Sequence, residues 1–481
     1  MPEGGHHLTG RTPGKCLSGL AGAVAATGLK DGATISFHHH LRNGDAVINT
    51  VVNMLAEAGL RDLHLAVTSL FPVHAPLVEH IRSGVIGRIS ASFISGPVGE
   101  AISHGALVAP VTLRSHGGRA RAIDMGEMPI DVAFVAAPAA DEMGNLSGRA
   151  GRAPCGTLGY PMVDVDSAAH VVAVTDTLVP FPVLPIDIPQ NKVDFVAVIP
   201  SIGDPRGIAS GATNPATDAL SLGIAENTAA VIAASGLLED GFAFQTGAGG
   251  ISLATAAAVG REMRARDVIG SFACGGITGF HVEMLEAGLF RALMDVQCFD
   301  LAAVASYSRN ANHMAMSASA YAGPHVGGAV VDRLSAVVLG AAEVDLGFNV
   351  NVTTRAGGIL IGGSGGHADA AQGARLTLIT TRLTAAGYPK IVPHVTTRTT
   401  PGNSVDVVVT EAGLAVNPAR KDLSDRLAKA GLPIVTMEDL AAKAQAAATK
   451  AVPPRAQGRI VALSEYRDGT IIDEIRQIDE A

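Results

Sequence analysis

The chain alternates between short apolar runs and longer amphipathic segments, a pattern typical of an α/β protein. Its first clear unit begins with the apolar run 33–37 and continues through a polar turn. The next segment places Val47, Val51 and Leu55 at four-residue spacing, which predicts an amphipathic helix. A second apolar run, 63–67, completes a predicted strand–helix–strand unit.

The same alternation continues along the chain and favours mainly parallel sheets, because helices separate successive strands. Further strands are predicted at 132–136, 170–174, 195–199, 242–245, 268–272, 334–339, 348–353, 376–381 and 405–410. Helices are predicted at 219–234, 253–266, 280–287, 422–430 and 437–450, followed by a polar tail. Because the stretch 201–218 has little periodicity, we place a domain boundary near residue 220.

Composition supports large buried cores with few aromatic rings. The 481 residues exceed the length at which one core usually keeps growing, so two domains are expected. Hydrophobic residues make up 48% of the chain, aromatic residues 4%, and glycine occurs 56 times. A core of small aliphatic side chains with many tight turns favours a parallel α/β protein.

Composition also disfavours several classes of protein. No apolar run reaches the roughly 18 residues of a membrane span, and the start lacks the charged-then-apolar order of a secretory signal. We therefore expect a cytoplasmic protein. The net charge is -9 with scattered basic residues, which argues against nucleic-acid binding. Four widely spaced cysteines without a CxxC pair favour neither a disulfide framework nor a zinc site.

Two glycine-rich loops are the most informative feature of the chain. One reads Gly362-Gly363-Ser364-Gly365-Gly366-His367-Ala368-Asp369 after an apolar run, and the other reads Gln245-Thr246-Gly247-Ala248-Gly249-Gly250. Such loops expose backbone N–H groups, which bind a phosphate or the oxyanion of an acyl intermediate. Neither loop matches a P-loop or a full dinucleotide-binding motif. The alternative is that the glycines only allow close packing of a helix on a sheet.

A polar turn after the first strand carries a second group of candidates. It reads His38-His39-His40-Leu41-Arg42-Asn43-Gly44 and lies at the carboxyl end of a strand, where open α/β sheets bind ligands. Consecutive residues of an extended chain point to opposite sides, which argues against one metal ion held by all three histidines. Two interpretations remain open. Some of the histidines bind carboxylates together with Arg42 and Asn43, or the turn is a structural loop with solvated imidazoles.

Glu283 is a candidate carboxylate on a predicted helix that follows the pair Gly275-Gly276. A carboxylate beside an acyl-binding loop can attack a thioester, act as a base, or simply face solvent, and all three roles remain open. Cys274 has no recognisable partner, and the Gly-x-Ser-x-Gly spacing occurs only inside the glycine-rich run 362–366, which we interpret as an anion-binding loop and not as a nucleophile elbow. A serine or cysteine hydrolase therefore has little support.

Taken together, the polar turn and the two glycine-rich loops resemble the citrate lyase alpha subunit family, which is related in fold to the CoA transferases. Linking segments such as 331–334 and 348–354 agree, so the resemblance covers most of the chain. It implies two CoA-transferase-type α/β domains with mainly parallel sheets, residues 1–220 and residues 221–481. The active site would lie in the cleft between the two domains.

The resemblance implies a transferase of sulfur-linked acyl groups. Citrate would displace acetate from the acetyl thioester of an acyl carrier protein, or from acetyl-CoA, to give a citryl thioester and acetate. The implied partners are the acyl carrier protein, which is the gamma subunit, and the beta subunit that cleaves the citryl group. The chain would form a homo-oligomer within a larger complex. CoA, or the CoA-derived prosthetic group of the carrier, would act as a substrate, and neither a covalent cofactor nor a metal is expected.

The resemblance also assigns roles to residues of this chain. Gly363, Gly365 and Gly366 would be catalytic and would hold the thioester oxygen. Glu283 matches in position the nucleophilic glutamate of related acyl-CoA transferases, with Val282 in place of their threonine, whereas the citrate lyase class implies direct transfer without a glutamyl intermediate. Substrate or CoA binding is assigned to His38, His39, His40, Arg42, Asn43, Gln245, Thr246, Gly247, Gly249, Gly250, Gly362, Ser364, His367 and Asp369.

Rival functions remain within the same resemblance. An acyl-CoA hydrolase or a transferase that uses citramalate would share the fold and the glycine-rich loops. A subunit without chemistry, which serves as a scaffold for partner chains, is a further alternative. A pure scaffold needs neither intact glycine-rich loops nor the polar turn, so these features favour an enzyme.

Overall fold

The helices of the protein were located in a computed structural model, which describes residues 14–38, 40–209, 216–247 and 249–479. They are α1 (Gly19–Thr27), α2 (Val47–Glu57), α3 (Leu77–Arg82), α4 (Pro97–Ser103), α5 (His116–Asp124), α6 (Pro161–Ser167), α7 (Ala219–Ala234), α8 (Gly250–Ala265), α9 (Gly279–Glu286), α10 (Leu301–Arg309), α11 (Ala318–Ala322), α12 (His367–Gly373), α13 (Lys421–Lys429) and α14 (Met437–Ala447). Single helical turns lie at Arg42–Gly44, Pro72–His74, Gln190–Lys192, Pro205–Ile208, Val330–Arg333 and Gly402–Ser404.

The strands of the first half are β1 (Thr34–Phe37), β2 (Leu63–Val67), β3 (Ser69–Leu70), β4 (Ile86–Ala91), β5 (Phe93–Ile94), β6 (Val111–Arg114), β7 (Val132–Ala136), β8 (Ala139–Asp141), β9 (Leu146–Ser147), β10 (His170–Thr175), β11 (Leu178–Val179) and β12 (Phe195–Val198). Those of the second half are β13 (Ala243–Thr246), β14 (Gly270–Ile277), β15 (Phe290–Cys298), β16 (His313–Ala315), β17 (Ala336–Gly340), β18 (Glu343–Asp345), β19 (Val350–Asn351), β20 (Thr377–Thr380), β21 (Thr384–Ala385), β22 (Tyr388–Pro389), β23 (Ile391–Val392), β24 (Val407–Thr410), β25 (Gly413–Val416), β26 (Ile460–Glu465) and β27 (Ile471–Arg476).

The first large sheet has nine strands in the order β12-β10-β7-β1-β2-β4-β6-β26-β27. Its neighbouring strands are parallel, apart from the β26–β27 hairpin. The chain runs outward from β1 through β2, β4 and β6, and later builds the other side through β7, β10 and β12. The strand order therefore reverses between β1 and β7, and ligands of open α/β sheets bind at the carboxyl ends of strands at such a point.

The second large sheet has eight strands in the order β16-β15-β14-β13-β17-β20-β24-β25. Its neighbouring strands are also parallel, apart from the β24–β25 pair. The order reverses between β13 and β17, so each half of the molecule has one such reversal point. The predicted α/β class with mainly parallel sheets is confirmed.

Stacked phenylalanines lie near both reversal points. Phe37 of β1 and Phe134 of β7 stack with their ring centres 5.3 Å apart. Phe242 and Phe244, at the start of β13, have ring centres 5.5 Å apart. All four rings are buried, and burying large aromatic side chains contributes strongly to core stability. The loops that leave these strands therefore start from a firmly packed base.

The last two strands belong to the first sheet. Residues of β26 pair in parallel with those of β6, for example Ala462 with Val111 and Ser464 with Leu113. The predicted polar tail is therefore wrong, and so is the assignment of these strands to a second domain of residues 221–481. The strand pattern is weak here because β27 is an edge strand whose side chains are mostly exposed. The boundary near residue 220 stays a prediction.

Two further differences concern the second half. The nine-residue strand β15 was not predicted, because polar residues such as Arg291 and Asp295 interrupt its apolar pattern. The run predicted as a strand at 348–353 contributes two residues to a small sheet, as β19. The glycine-rich loop 362–366 does not follow a strand of a large sheet. It follows Leu360, which makes a single bridge to Thr354.

A helix that crosses a membrane must be both long and apolar. In the described part of the chain, none of the helices is both long enough and apolar enough to cross a membrane.

Candidate functional site

A cavity of about 370 Å³ lies between the two large sheets, beside both reversal points. Arg42 reaches it from the turn after β1, and Gln245 and Thr246 reach it from the end of β13. Loops from both halves close the remaining walls. The lining residues are Arg42, Ser69, Phe71, Phe93, His116, Tyr160, Gln245, Thr246, Gly247, Gly249, Gly275, Gly276, Val296, Gln297, Phe299, Tyr321, Leu339, Gly340, Val352, Gly363, Ser364, Gly365, Gly366 and His367.

Many residues predicted from the sequence meet in this cavity. They come from the polar turn, which contributes Arg42, and from both glycine-rich loops, which lie far apart in the sequence. The full set is Arg42, Gln245, Thr246, Gly247, Gly249, Gly363, Ser364, Gly365, Gly366 and His367. The remaining predicted residues that the structure describes do not line it.

The 362–366 loop is held by residues of the first half that lie in β5 or just beyond the ends of β4 and β6. The amide of Gly365 donates to the carbonyl of Ser92 at 3.1 Å, and the carbonyl of Gly365 accepts from the amide of His116 at 2.7 Å. The carbonyl of Gly362 accepts from the amide of Ile94 at 3.1 Å. These bonds fix the loop against the ends of β4 and β6, so the loop bridges the two halves of the molecule.

Three amides of this loop remain available for a ligand. Within residues 14–38, 40–209, 216–247 and 249–479, the N–H groups of Gly363, Ser364 and Gly366 have no hydrogen-bond acceptor. All three residues line the cavity. Successive unpaired amides in a turn form an anion-binding concavity, so the loop is suited to an oxyanion or a carboxylate.

Glycine is required in this loop by close approach of neighbouring atoms. A Cβ atom on Gly363 would lie 2.3 Å from the carbonyl oxygen of Ser92, and one on Gly366 would lie 2.6 Å from the hydroxyl of Tyr321. A Cβ atom on Gly362 would lie 2.4 Å from the carbonyl oxygen of Val352. Side chains at these positions would displace the loop from its partners.

Arg42 supplies a buried positive charge to the cavity. Its guanidinium carbon lies 4.5 Å from the ring centre of Phe299 and 5.5 Å from that of Phe71. The residue has a left-handed backbone with φ of 53°. Burial lowers the pKa of Arg42 to about 10, so the side chain is a cation at neutral pH. A buried guanidinium between two rings is well suited to bind a carboxylate.

The other described residues of the polar turn lie outside the cavity. His38 and His40 are buried, so the alternative with solvated imidazoles is wrong for both. Burial lowers the pKa of His38 to about 4 and that of His40 to about 3, which leaves both rings neutral. Asn43 is exposed, and its Oδ1 accepts from the amide of Val73 at 3.1 Å. His39 lies outside the described residues.

A buried ion pair lies beneath this turn. Nε2 of His38 is 3.4 Å from a carboxylate oxygen of Asp164. Asp164 also accepts two hydrogen bonds from the guanidinium of Arg119, both at 2.8 Å. Because Asp164 is already paired with a bidentate arginine, it raises the pKa of His38 less than burial lowers it. His38 therefore lies against the buried Asp164–Arg119 pair, and neither of its ring nitrogens has a hydrogen-bond partner among the described residues.

The second glycine-rich loop places polar side chains on the opposite wall. Nε2 of Gln245 donates to the hydroxyl of Tyr321 at 2.8 Å. The hydroxyl of Thr246 lies 3.3 Å from Nε2 of the buried His281. Gly249 precedes α8 and lines the cavity, whereas Gly250 is the first residue of α8 and does not.

Glu283 lies outside the cavity. On α9, His281 is buried against Thr246, while Glu283 is exposed. Two residues correspond to a rotation of about 200° around a helix, so a helix that turns His281 inward turns Glu283 outward. Within the described residues, no aspartate or glutamate lines the cavity.

His367 and Asp369 differ in their surroundings. Nδ1 of His367 lies 2.7 Å from the hydroxyl of Thr400, and burial lowers the pKa of this imidazole to about 4. Asp369 is buried and accepts hydrogen bonds from the hydroxyl of Ser115 at 2.8 Å and the amide of Gly117 at 2.9 Å. Burial raises the pKa of Asp369 to about 6. Its carboxylate connects α12 to the start of α5, which is a structural position.

Several residues that line the cavity were not predicted. They are aromatic or polar side chains from segments without a recognisable motif, together with two glycines of β14. The group comprises His116, Tyr160, Gly275, Gly276, Gln297, Phe299 and Tyr321. One signal in the sequence does exist for His116, because Gly117 and Gly118 follow it directly after the end of β6. The rings of His116 and Tyr160 are 4.7 Å apart.

A second cavity of about 590 Å³ lies next to the 362–366 loop, bordered by Ile361. It carries three basic side chains, those of Arg355, Lys390 and Lys450, and one carboxylate, that of Glu343. In the part of the chain that the structure describes, none of these side chains makes an ion pair. Burial lowers the pKa of Lys390 to about 8. This second cavity, which combines cations with an apolar wall, was not predicted from the sequence.

One group of side chains has the spacing of a metal site among the described residues. Carboxylate, thiol and imidazole atoms of Asp295, Cys298 and His313 lie within 4.8 Å of one another. One oxygen of Asp295 accepts hydrogen bonds from both Cys298 and His313 at 3.0 Å. Burial raises the pKa of the Cys298 thiol well above its usual value, which keeps the thiol protonated. The three side chains thus hydrogen-bond to one another through Oδ2 of Asp295, while Oδ1 of Asp295 has no hydrogen-bond partner among the described residues.

Comparisons with known proteins match nearly the whole chain to one family. The family model "citrate lyase, alpha subunit" matches residues 14–478. The citrate lyase alpha chain of Escherichia coli (strain K12) is 46% identical over 97% of this chain and 91% of that protein. A citrate lyase alpha subunit from Streptococcus mutans, solved in complex with citrate, is 46% identical with a TM-score of 0.95, covering 98% of this chain and 93% of that one.

A more distant structure gives the fold. A 4-hydroxybutyrate CoA-transferase from Porphyromonas gingivalis has a TM-score of 0.55 at 19% identity, and the match covers 88% of this chain and 95% of that one. Its similarity supports the CoA-transferase-like architecture, and the resemblance inferred from the sequence is confirmed. The family match covers nearly the whole chain, and the relatives are matched over nearly their whole length. The chain belongs to the citrate lyase alpha subunit family.

Proposed function

We propose that the cavity between the two sheets exchanges acyl groups between citrate and an acetyl thioester. Citrate displaces acetate from the thiol of an acyl carrier protein or of CoA, and the products are a citryl thioester and acetate. One observation carries this proposal: the same cavity combines the buried cation of Arg42 with the three unpaired amides of Gly363, Ser364 and Gly366. The cation fits a carboxylate substrate, and the amides fit an acyl oxyanion.

The chemistry requires no residue that carries the acyl group. A carboxylate oxygen of citrate attacks the thioester carbon, and the carbon–sulfur bond breaks to give an acetyl–citryl anhydride and a thiolate. The thiolate then attacks the citryl carbonyl, a carbon–oxygen bond breaks, and acetate leaves. Both steps form a tetrahedral oxyanion. A preorganised N–H donor at such an oxygen contributes about 3 to 4 kcal/mol, which is the role we assign to the loop amides.

Citrate recognition follows from the position of Arg42. A bidentate guanidinium orients a carboxylate and thereby lowers the entropic cost of bringing two reactants together. His38 and His40 support the turn that presents Arg42, since both are buried and outside the cavity. We include the predicted cytoplasmic location, the acyl carrier protein and the beta subunit in this proposal.

An isotope experiment tests the exchange. The purified protein is incubated with CoA that carries a labelled acetyl group, with and without citrate. We expect labelled acetate and citryl-CoA in equal amounts, and no acetate without citrate. Release of acetate without citrate would indicate a hydrolase. Turnover with citramalate but not citrate would indicate the other transferase, and binding of partner chains without turnover would indicate a scaffold.

Glu283 provides a second test of direct transfer. The side chain of Glu283 is exposed and lies outside the cavity. We therefore expect the turnover number of Glu283→Gln to stay within about twofold of that of the unmodified protein, well below the roughly tenfold that about 1.4 kcal/mol in the activation barrier would give. Glu286→Gln, on the exposed side of the same helix, is the matched control. Turnover is measured as citryl-CoA formed. A loss of activity restricted to the Glu283 variant, with a glutamyl hydroxamate after hydroxylamine treatment, would restore the covalent mechanism.

We also infer that the second cavity holds the phosphate-bearing part of the thioester substrate. It is bordered by Ile361, and the acyl-binding cavity is bordered by Gly363, two residues further along the chain. Arg355, Lys390 and Lys450 offer positive charge to phosphates, while Ile359 and Tyr388 offer apolar surface. CoA and its derivatives carry both kinds of group. A continuous substrate can therefore lie along the loop with its thioester at the three unpaired amides.

The buried lysine predicts a pH dependence for thioester binding. A phosphate binds the protonated form of Lys390, whose pKa burial lowers to about 8. The bound form therefore has the higher pKa, and the KM for acetyl-CoA rises as the pH increases through about 8, by up to about tenfold per pH unit. Measurement of KM between about pH 6.5 and 9.5 tests this.

Two variants separate the titration of Lys390 from other effects. Lys390→Arg keeps its charge throughout this range, so its KM for acetyl-CoA should stay nearly constant with pH. Lys390→Met should have a raised KM that does not change with pH, and the KM of the unmodified protein should approach this value above about pH 8. The exposed Lys421, changed to Met, is the control and should follow the unmodified protein. An unchanged pH dependence in Lys390→Arg would remove Lys390 from the thioester site.

A further inference from the structure

Tyr321 is a buried phenol in the wall of the acyl-binding cavity, and the exchange chemistry has so far given it no role. It lies on α11 and is 2% exposed. Its oxygen accepts a hydrogen bond from Nε2 of Gln245 at 2.8 Å. Among the residues that the structure describes, its own O–H has no acceptor. The phenol therefore has one hydrogen-bond donor left for a molecule in the cavity.

The hydroxyl lies directly against the glycine-rich loop. A Cβ atom on Gly366 would be 2.6 Å from the oxygen of Tyr321. Gly366 also carries one of the three unpaired amides, and both residues line the same cavity. The hydroxyl is therefore close to the amides that we assign to the acyl oxyanion. Glycine at 366 is the residue that leaves room for this approach.

Gln245 fixes the direction in which the phenol can donate. Oε1 of Gln245 accepts from the thiol of Cys274 at 3.4 Å, so the amide presents Nε2 to Tyr321. A Cβ atom on Gly275 would lie 2.9 Å from Cδ of Gln245, so the neighbouring glycine allows this packing. Because Gln245 occupies one lone pair of the hydroxyl, the proton of Tyr321 is directed away from Gln245.

We propose that Tyr321 is a catalytic residue whose hydroxyl donates a hydrogen bond to the oxyanion of the thioester, and that Gln245 is its positioning residue. This inference rests on the proposed acyl exchange and adds a side-chain donor to the loop amides. No proton is transferred, so the atom balance of the two steps is unchanged. Burial raises the pKa of Tyr321 well above its usual value, so the donor stays protonated over the working range of pH.

The test compares substituted proteins with the unmodified protein. Tyr321→Phe removes the hydroxyl and keeps the ring. We expect the turnover number for citryl-CoA formation to fall about 100-fold, as for the loss of one oxyanion donor. The KM values for citrate and acetyl-CoA should stay within about twofold. Tyr307→Phe is the matched control, because Tyr307 is also buried and donates to Asp187 at 2.7 Å but does not line the cavity.

A double variant separates catalysis from packing. Since Gln245 acts through Tyr321, Gln245→Leu should lower turnover about tenfold, and the double variant should be no slower than Tyr321→Phe alone. If Tyr321 and Gln245 served only to pack the structure, their substitutions would lower the thermal stability, and the effects of the two substitutions on turnover would be additive. A fall of less than about threefold in Tyr321→Phe, or a change confined to KM, would overturn the proposal.

A third substitution keeps the test valid if Tyr321→Phe does not fold. Incorporation of 3-fluorotyrosine at position 321 retains the ring and the hydroxyl and makes the O–H a stronger donor. Turnover equal to or above that of the unmodified protein is expected, and a fall of about 100-fold would contradict the proposal. If the unmodified protein forms no citryl-CoA, the acyl exchange itself fails. If it does, and the hydroxyl proves dispensable, only the role of Tyr321 fails.

Discussion

Replacement of Arg42 with alanine is expected to raise the KM for citrate about 100-fold, because removal of a buried charged partner costs roughly 2 to 5 kcal/mol. The guanidinium lies in the cavity between the rings of Phe71 and Phe299. Water cannot readily replace it there, so a carboxylate of citrate would lose its partner in a desolvated site. The KM for acetyl-CoA should stay within about twofold. Steady-state kinetics with each substrate varied in turn measure both values.

The backbone at Arg42 offers a variant with an independent check on folding. With φ of 53° this residue adopts a left-handed conformation that glycine adopts readily. Arg42→Gly should therefore fold at least as well as Arg42→Ala and show the same loss of citrate affinity. Arg42→Lys keeps a charge but not the planar fork, so its KM for citrate should lie between that of the unmodified protein and that of Arg42→Ala. Arg206→Ala is the control, because Arg206 is exposed and pairs with Asp204 beside the same turn.

The kinetic pattern decides which substrate Arg42 binds. A raised KM for acetyl-CoA with an unchanged KM for citrate would place the thioester at Arg42. If neither KM changes in Arg42→Gly, Arg42 does not contact either substrate. Which of the two KM values changes also tests the proposed arrangement of the site, in which the first half of the chain binds citrate and the second half binds the acyl oxyanion.

The sequence alone predicts those parts of the site that consist of a few consecutive residues. The 362–366 loop has four glycines in five positions, and such a loop needs no knowledge of the rest of the chain to suggest exposed amides. Arg42 was predicted in the same way, from a polar turn at the carboxyl end of a strand. The turn with Arg42 leaves β1 at the reversal point of the first sheet, whereas the 362–366 loop is held in the cavity by hydrogen bonds to Ser92, Ile94 and His116.

The buried or exposed state of single side chains was harder to predict. The sequence pattern of His38 and His40 fits ligands and solvated groups equally well, whereas the structure buries both side chains. Glu283 illustrates the same problem on a helix. Its resemblance to a nucleophile concerns sequence position, but the phase of α9 is set by the packing of His281 against Thr246. A helical wheel anchored on His281 would have placed Glu283 on the outer face.

Residues contributed by distant segments were missed for a different reason. Tyr160, Phe299 and Tyr321 have no motif around them, and they reach the cavity only through the pairing of strands and the packing of α11. Strand β15, which delivers Gln297 to the cavity, has polar residues that hide its period. Long-range pairing of this kind depends on tertiary contacts, which local propensity does not encode. His116, beside two glycines at a strand end, is the exception that a wider search for glycine-rich turns would find.

A large loss of turnover is also expected when one methyl group is added at Gly363. Gly363→Ala should lower the turnover number for citryl-CoA formation at least 100-fold, the cost of misplacing reacting groups by roughly 1 Å. The added Cβ would lie 2.3 Å from the carbonyl oxygen of Ser92, a backbone atom that cannot rotate away. That same carbonyl accepts from the amide of Gly365 at 3.1 Å. A loop that retreats from Ser92 therefore loses the bond that fixes its geometry.

The matched substitution is Gly223→Ala, since Gly223 is exposed on α7 and has no atom within 4 Å of its Cβ position. It should leave turnover unchanged and favour the helix slightly. Thermal melting and citrate binding show whether Gly363→Ala is folded, because Arg42 belongs to a different loop and should still bind citrate. A folded Gly363→Ala protein that binds citrate but forms citryl-CoA about 100-fold more slowly would place the acyl oxyanion at this loop. If that protein keeps full turnover, the amides of residues 363, 364 and 366 do not stabilise the transition state, and the oxyanion must be held elsewhere in the cavity.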